Sequence, residues 1–323
     1  MGTDSTDTVQ RVAHLADDGG FDDLTGSGGP VARTRSVTEL GGTCDTAPAV
    51  PATAELLSLR NAPTLRGGSL IDDVALGDLL ANMATQPPAV RGRPNVLADG
   101  RVGKFGWKAD VPSLVEFMAL AFRNEMGMTS LLEPRDEVGV CAANANSPEI
   151  DALALQGAAK FINTLDPPVP TAACLTGPGV DIFKSLGCAA CHTPSLPGPG
   201  ARQAIPIYSD LLLHDMGPGL ADQFLQGSST GSEWRTTPLW RVSERTKFLH
   251  DGRATSLTDA ILAHGGQGQV ARDAFAALDD RRKQALLAYL GGILLSTWFR
   301  KFANVSEPRF QPSAVSRAGL ADG

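Results

Sequence analysis

Apolar positions in this chain recur mostly at helical spacing, and two long stretches of this kind stand out. The first begins at Ser147-Pro148-Glu149, where a serine cap precedes proline at the first helical position, and Asp166-Pro167-Pro168 ends it. The second begins near Asp279-Asp280. Their predicted buried faces are Ile150, Leu153, Phe161, Ile162 and Leu165 in the first helix, and Leu286, Leu287, Leu290, Ile293 and Leu294 in the second. No strand pattern dominates anywhere, so we predict a mainly α fold.

Two sequence motifs occur twice in the same order. Arg60-Asn61-Ala62-Pro63-Thr64-Leu65 is echoed by Arg235-Thr236-Thr237-Pro238-Leu239-Trp240. Likewise, the stretch from Phe105 to Ser113 parallels the stretch from Phe248 to Ser256. These repeats predict two mostly helical domains with long loops, related by internal duplication, at residues 1–168 and 169–323.

The first half carries an additional segment, at about residues 67–100, between its two repeated motifs. We expect a helix from Asp73 to Met83 there, followed by a loop rich in proline and glycine. The whole chain of 323 residues contains 35 glycines and 22 prolines, which favours long loops. Its net charge of −7 argues against a nucleic-acid partner, and no apolar run approaches the length of a transmembrane helix.

Cys188-Ala189-Ala190-Cys191-His192 is the most specific chemical signal, because C-x-x-C-H is the attachment signature of a c-type haem. In such a site the two thiols add to the haem vinyl groups and the histidine ligates iron. The preceding residues 179–187 predict a short amphipathic helix that covers the haem with Phe183 and Leu186. A thioredoxin-like motif would follow a strand, and a structural zinc site would need a second Cys/His pair; neither is visible. We therefore predict one covalent haem c and cytochrome c-like domains.

Further motifs resemble one known family. They are the stretches Tyr208–Gly217, Glu233–Trp240, Phe248–Ala254 and Ala260–Gly266 in the second half, and Arg60–Pro63, Gly68–Asp72 and Gly106–Ala109 in the first. Together they resemble the di-haem thiol oxidoreductases, which belong to the di-haem cytochrome c peroxidase superfamily. The resemblance covers roughly residues 22–299.

The resemblance implies specific roles for several residues. In that superfamily each half carries one c-type haem; the second relays electrons, and the first reacts with peroxide. This chain shows only the second attachment motif. Trp107 matches a tryptophan that conducts electrons between the haems, and Glu125 roughly matches a catalytic glutamate, although Phe117 replaces the family's glutamine. Trp107 could equally be a packed core residue, and Glu125 a solvated helix residue. Arg253 could bind a haem propionate or form a surface salt bridge.

His192 is the expected first iron ligand. The sixth ligand must come from a methionine or from one of four histidines: His14, His214, His250 and His264. His264 is the first choice, since the resembling peroxidases place a methionine ligand at the similar position. Met216 is the second candidate for this ligand, but it could instead pack in the hydrophobic core. We expect His250 to be structural. His214 could be oriented by the adjacent Asp215, although we expect an exposed turn histidine.

These observations favour an exported, periplasmic c-type cytochrome or oxidoreductase that accepts electrons from a small redox protein or a quinol-linked donor. Its amino terminus shows no leader, although covalent haem attachment takes place outside the cytoplasm. Two alternatives are a non-enzymatic mono-haem carrier with a degenerate first domain, and a haem-free thiol oxidoreductase. Three further cysteines, Cys44, Cys141 and Cys174, could include one disulfide or remain inert thiols.

Overall fold

The computed structural model of the protein describes residues 8–18, 20–33, 50–135, 148–165, 176–199 and 204–293. Of these residues 38% are helical and 15% form strands or bridges, arranged as eight α-helices and three small sheets. The prediction of a mainly α fold built from two cytochrome c-like helical domains is therefore wrong, because the described residues adopt a mixed α/β fold. The division at residue 168 stays a prediction. Cys44, Cys141 and Cys174 lie outside the described residues.

The elements follow one another in this order along the described residues: β1 Thr8–Leu15, β2 Phe21–Asp22, β3 Leu56–Asn61, α1 Gly68–Asp72, α2 Leu76–Thr85, β4 Asn95–Val96, β5 Val102–Gly103, α3 Leu114–Met126, α4 Ala152–Asn163, α5 Pro178–Ser185, β6 Leu213–Asp215, β7 Glu233–Arg235, α6 Leu257–Leu262, α7 Gln269–Ala276 and α8 Asp280–Gly291. Short 3₁₀ turns occur between them, including Cys188–Ala190 and Gly266–Gly268.

The largest sheet has the strand order β2-β1-β3, and it buries polar rather than apolar side chains of β3. Its strands are antiparallel, with Thr8 opposite Asn61. Leu57 and Leu59 are exposed, whereas Ser58 and Arg60 are buried. A strand is recognised in a sequence by apolar residues on its buried face. In β3 the buried residues are polar and the exposed ones are apolar, so the sequence pattern does not predict this strand.

The sequence predicts one of the two long helices more accurately than the other. Helix α8 begins after Asp279, whose side chain accepts a hydrogen bond from the Arg282 amide, and it buries Leu286 and Leu290 as predicted. Helix α4 begins after Asp151 rather than at residue 147. Its Leu153 is 78% exposed, so the predicted buried face of this helix is partly wrong.

The repeated motifs adopt the same local geometry in both halves. Phe105 forms an isolated bridge with Val111, and Phe248 forms one with Ala254. The serines eight positions after each phenylalanine, Ser113 and Ser256, both cap the next helix, and their backbone angles are nearly identical.

These motifs also contact each other reciprocally across the two halves. The Asn61 amide donates to the His250 carbonyl at 2.6 Å, and the Arg235 amide donates to the Trp107 carbonyl at 2.9 Å. The first motif of each half thus binds the second motif of the other half. This exchange joins the halves around a shared hydrophobic core.

Candidate functional site

The Cys188–His192 motif lies in a tight turn directly after helix α5. Gly187 adopts a left-handed conformation with φ of 86° and starts the 3₁₀ turn Cys188–Ala190. The His192 amide then donates to the Cys188 carbonyl at 3.0 Å. Behind this turn Phe183 is buried against Tyr208 and Tyr289. The packed helix therefore fixes the backbone that presents both thiols.

His192 is oriented as a metal-binding imidazole. Its Nδ1 lies 3.1 Å from the carbonyl oxygen of Tyr208, so Nδ1–H is the donor and Nε2 remains available. Burial, and next the neighbouring His264, lower the pKa of His192 to about 4. The ring is therefore neutral at pH 7, which is the state that binds iron.

His264 is oriented in the same way. It follows helix α6, and its Nδ1 donates to the Ala260 carbonyl at 2.7 Å, which again leaves Nε2 available. Burial lowers the pKa of His264, so this ring is also neutral at pH 7. Two neutral imidazoles with both Nδ1 atoms occupied form a donor set that fits six-coordinate haem iron.

Met216 lies beside His264 in the adjoining loop. An ideal Cβ on Gly268 would lie 3.1 Å from Cε of Met216 and 3.2 Å from Cδ2 of His264, so both side chains face the same point. Gly265 allows this approach, since a Cβ there would lie 2.8 Å from the Met216 carbonyl oxygen. The structure therefore brings together both candidates for the sixth ligand. The choice between them stays a prediction.

The thiols themselves do not resemble those of a redox-active dithiol site. Burial raises the pKa of Cys188 to about 11, whereas reactive thiols have a lowered pKa. Cys188 and Cys191 form no disulfide in the structure. Within the described part of the chain, no group of three or more His, Cys, Asp and Glu residues could hold a metal ion.

His214 and Asp210 form a buried pair behind Cys191. His214 is 2% exposed, so the expectation of an exposed turn histidine is wrong. Its Nε2 donates to Oδ2 of Asp210 at 2.8 Å, and its Nδ1 lies 3.5 Å from Sγ of Cys191. Although burial opposes the charged ring, the hydrogen bonds to Asp210 and Cys191 raise the pKa of His214 to about 10.

A separate cavity in the first half contains the two predicted catalytic residues. Trp107, Phe117 and Glu125 line it, together with residues of β1 and β3, and its volume is about 120 Å³. Glu125 lies at its exposed edge, where partial burial raises the pKa of the carboxyl. A second cavity of about 470 Å³ adjoins it and shares Arg11 and Asp110 with it. Since cofactor pockets usually measure about 300–1,000 Å³, the cavity volumes do not decide the number of haems, which stays a prediction.

Trp107 also contacts the second half through an aromatic stack. Its ring meets His250 edge-on with centroids 6.4 Å apart, and His250 stacks on Trp234 at 3.6 Å. Lys108 and Arg60 lie over the Trp234 ring. His250 is thus buried at the contact between the halves, as expected of a structural residue, and burial lowers its pKa to about 4.

Arg253 and His14 lie outside these clusters. Arg253 is 49% exposed, pairs with Asp251 and donates to the Gly219 carbonyl at 2.8 Å. Its expected propionate contact stays a prediction. His14, at the carboxyl end of β1, lies 3.3 Å from Glu55.

Residues 169–293 match the family described as "Di-haem oxidoreductase, putative peroxidase". This match confirms the family predicted from the sequence motifs, although it covers less than half of the chain. The match supports haem binding and oxidoreductase chemistry.

Two further comparisons add little. A hydrazine synthase of Kuenenia stuttgartiensis, in a structure determined under 20 bar xenon, is 18% identical, with 73% of this chain and 72% of that chain covered and a TM-score of 0.38. A likeness of that degree supports no functional statement. A comparison with curated protein sequences found no match. Among the described residues, no helix is long and apolar enough to cross a membrane.

Proposed function

We propose that the protein is a c-type haem electron-transfer protein, with one haem bound covalently through Cys188 and Cys191. The observation that carries this proposal is the matched pair His192 and His264. Each ring uses Nδ1 on a backbone carbonyl and keeps Nε2 available. The family match supports haem binding independently.

The residues around this site have distinct tasks. When bound, the haem supplies one-electron chemistry through its ferric and ferrous states. His192 and His264 would hold the iron, and a His/His pair favours a lower reduction potential than His/Met. Phe183 and its aromatic neighbours exclude water from one side of the turn.

We propose electron transfer rather than peroxide reduction as the main activity. In the superfamily that the sequence resembles, peroxide reacts at a haem of the first half. Residues 1–168 of this chain contain no C-x-x-C-H motif. This observation favours the mono-haem carrier among the two haem-dependent alternatives.

We further propose that the protein is exported, since attachment of haem to C-x-x-C-H takes place outside the cytoplasm. Its electron donor would be a small redox protein or a quinol-linked protein. The net charge of −7 would attract a basic partner at low ionic strength.

Intact mass after production with a bacterial leader and haem-attachment machinery tests this function. We expect one haem per chain that survives denaturation, and the double substitution Cys188→Ala with Cys191→Ala should abolish it. Cys44→Ala is the matched control and should retain the haem. A wild-type chain with only the polypeptide mass would contradict the proposal, and a Cys188–Cys191 disulfide in that chain would favour a thiol oxidoreductase.

A further inference from the structure

A segment of the first half, residues 82–93, contacts three separate parts of the candidate haem site; we name it the bridging segment. Asn82 donates from Nδ2 to the Thr193 hydroxyl at 3.2 Å, next to the proximal histidine. Arg93 exchanges two backbone hydrogen bonds with Leu213, which adds the segment to strand β6. On the side of His264, Gln267 donates from Nε2 to the Arg91 carbonyl at 3.0 Å. The segment therefore reaches both loops that supply iron ligands.

Gln86 is the centre of the bridging segment. Its Nε2 donates to the Ala190 carbonyl at 2.9 Å, inside the attachment motif, and to Oδ2 of Asp210 at 2.6 Å. Its Oε1 accepts from the Gly92 amide at 2.9 Å. Gln86 is 5% exposed, and these three hydrogen bonds fix its side chain.

Asp210 and His214 extend this network to the haem-binding cysteine. Asp210 is fully buried and accepts from Gln86, His214 and the Leu212 amide. His214 in turn lies against Sγ of Cys191. A continuous buried chain of contacts thus joins Gln86 of the first half to the thiol of the second.

Gly92 fixes His214 from the other side. An ideal Cβ on Gly92 would lie 2.7 Å from Nε2 of His214 and 2.7 Å from Cβ of Leu212. These distances are shorter than Cβ contacts in real proteins, so only glycine allows the segment to lie flat on the imidazole.

We propose that Gln86, Asp210 and His214 are positioning residues of the haem site, through which the first half fixes the attachment turn and sets the reduction potential of the haem. This inference rests on the proposed function. It assigns a role to the additional first-half segment, which the electron-transfer reaction itself does not use. None of the three residues needs to touch iron.

The test is the midpoint potential of the haem-loaded full chain carrying Gln86→Met. This substitution keeps the length of the side chain but removes the amide that donates to the Ala190 carbonyl and the Asp210 carboxylate. The negative charge of Asp210 is then less compensated near the haem, which favours ferric iron and should lower the potential. Adding Asp210→Asn removes that charge, so the double variant should have a higher potential than Gln86→Met. A purely structural defect would not show this reversal.

Gln284→Met is the matched control, because Gln284 is exposed on helix α8 and loss of its amide should leave the potential unchanged. If Gln86→Met does not fold, Gly92→Ala tests the same network from the His214 side, and it should shift the low-spin absorption spectrum by displacing His214. Haem-loaded variants whose potential and spectrum equal those of wild type would overturn the positioning role alone. A wild-type chain without covalent haem would overturn the proposed function as well.

Discussion

His264 and Met216 both lie next to Gly268, and only one of them would serve as the second iron ligand with His192. The imidazole has its Nδ1 fixed by the Ala260 carbonyl, whereas the Met216 thioether has no such partner among the hydrogen bonds of the described residues. A histidine held by a backbone acceptor is the more fully oriented ligand.

We expect His264→Ala to convert a six-coordinate low-spin haem into a five-coordinate, high-spin one. Absorption and electron paramagnetic resonance spectra of the haem-loaded protein measure this change. Met216→Leu keeps the volume and removes the sulfur, so it should retain the low-spin spectrum. The reverse pattern, with loss of the low-spin signal only in Met216→Leu, would assign the ligand to methionine.

Single residues with strong chemical signatures can be selected from the sequence as candidates, whereas those held by unusual backbone conformations cannot. The attachment motif selects Cys188, Cys191 and His192 directly, and their roles stay predictions. The Asp210–His214 pair depends on left-handed backbone at Tyr208 and Leu211, with φ of 50° and 57°. Neither residue is glycine, so nothing in the sequence indicates this turn.

At the scale of elements, the sequence pattern does not predict the strands, for two physical reasons. Strands β6 and β7 have only three residues each, which is too short for an alternating pattern. Strand β3 is longer, but its buried side carries Arg60, which forms an ion pair with Asp222 at 2.5 Å. Since a buried ion pair replaces apolar contacts there, the alternation of apolar residues would predict that the exposed leucines of β3 are buried. Helices α5 and α8, with ordinary apolar faces, were predicted well.

The crossing of α5 and α8 depends on one glycine. A Cβ on Gly179 would overlap the Ala285 carbonyl and the Tyr289 side chain, because the two helix backbones approach closely there. We expect Gly179→Ala to lower the free energy of unfolding by about 1–3 kcal/mol. Urea denaturation of the full chain measures this loss.

Gly157→Ala is the matched control for that substitution. Gly157 lies within α4, and a Cβ there would meet no atom within 4 Å. Alanine should therefore stabilise this helix by about 0.5–1 kcal/mol. Equal and small effects at both positions would contradict the tight packing of α5 on α8.

At the scale of the whole molecule, a buried charge cluster joins the two halves. Lys108 of the first half is fully buried and donates to the carbonyls of Thr230 and Gly231, both at 2.9 Å. Its Nζ lies 3.3 Å from Asp222 and 3.8 Å from the centre of the Trp234 ring. Burial nevertheless dominates, and it lowers the pKa of Lys108 from 10.5 to about 8.

This pKa predicts a specific dependence of stability on pH. Between pH 8 and pH 10.5 the unfolded chain binds a proton at Lys108 that the folded chain has released, so stability from this group rises with pH. The full rise is about 3 kcal/mol. Lys108→Met should remove this contribution, which is measured as the difference between unfolding free energies at pH 7.5 and pH 10.

Lys160→Met supplies the comparison, since Lys160 is exposed on α4. This variant should keep the wild-type increase in stability. If the free energy of unfolding of wild type and of Lys108→Met depended identically on pH, burial would not lower the pKa of Lys108.

The hydrogen bond from Gln86 to Ala190 spans 104 positions of sequence, which affects how the candidate haem site could be transferred to another protein. A fragment limited to residues 169–293, the part that matches the family, would keep both thiols, His192 and His264. It would lose Gln86, whose side-chain amide donates to both the Ala190 carbonyl and the Asp210 carboxylate. The smallest part of the chain that would keep this network in another host protein therefore includes residues 82–93, although they lie far before the Cys188–His192 motif in the sequence.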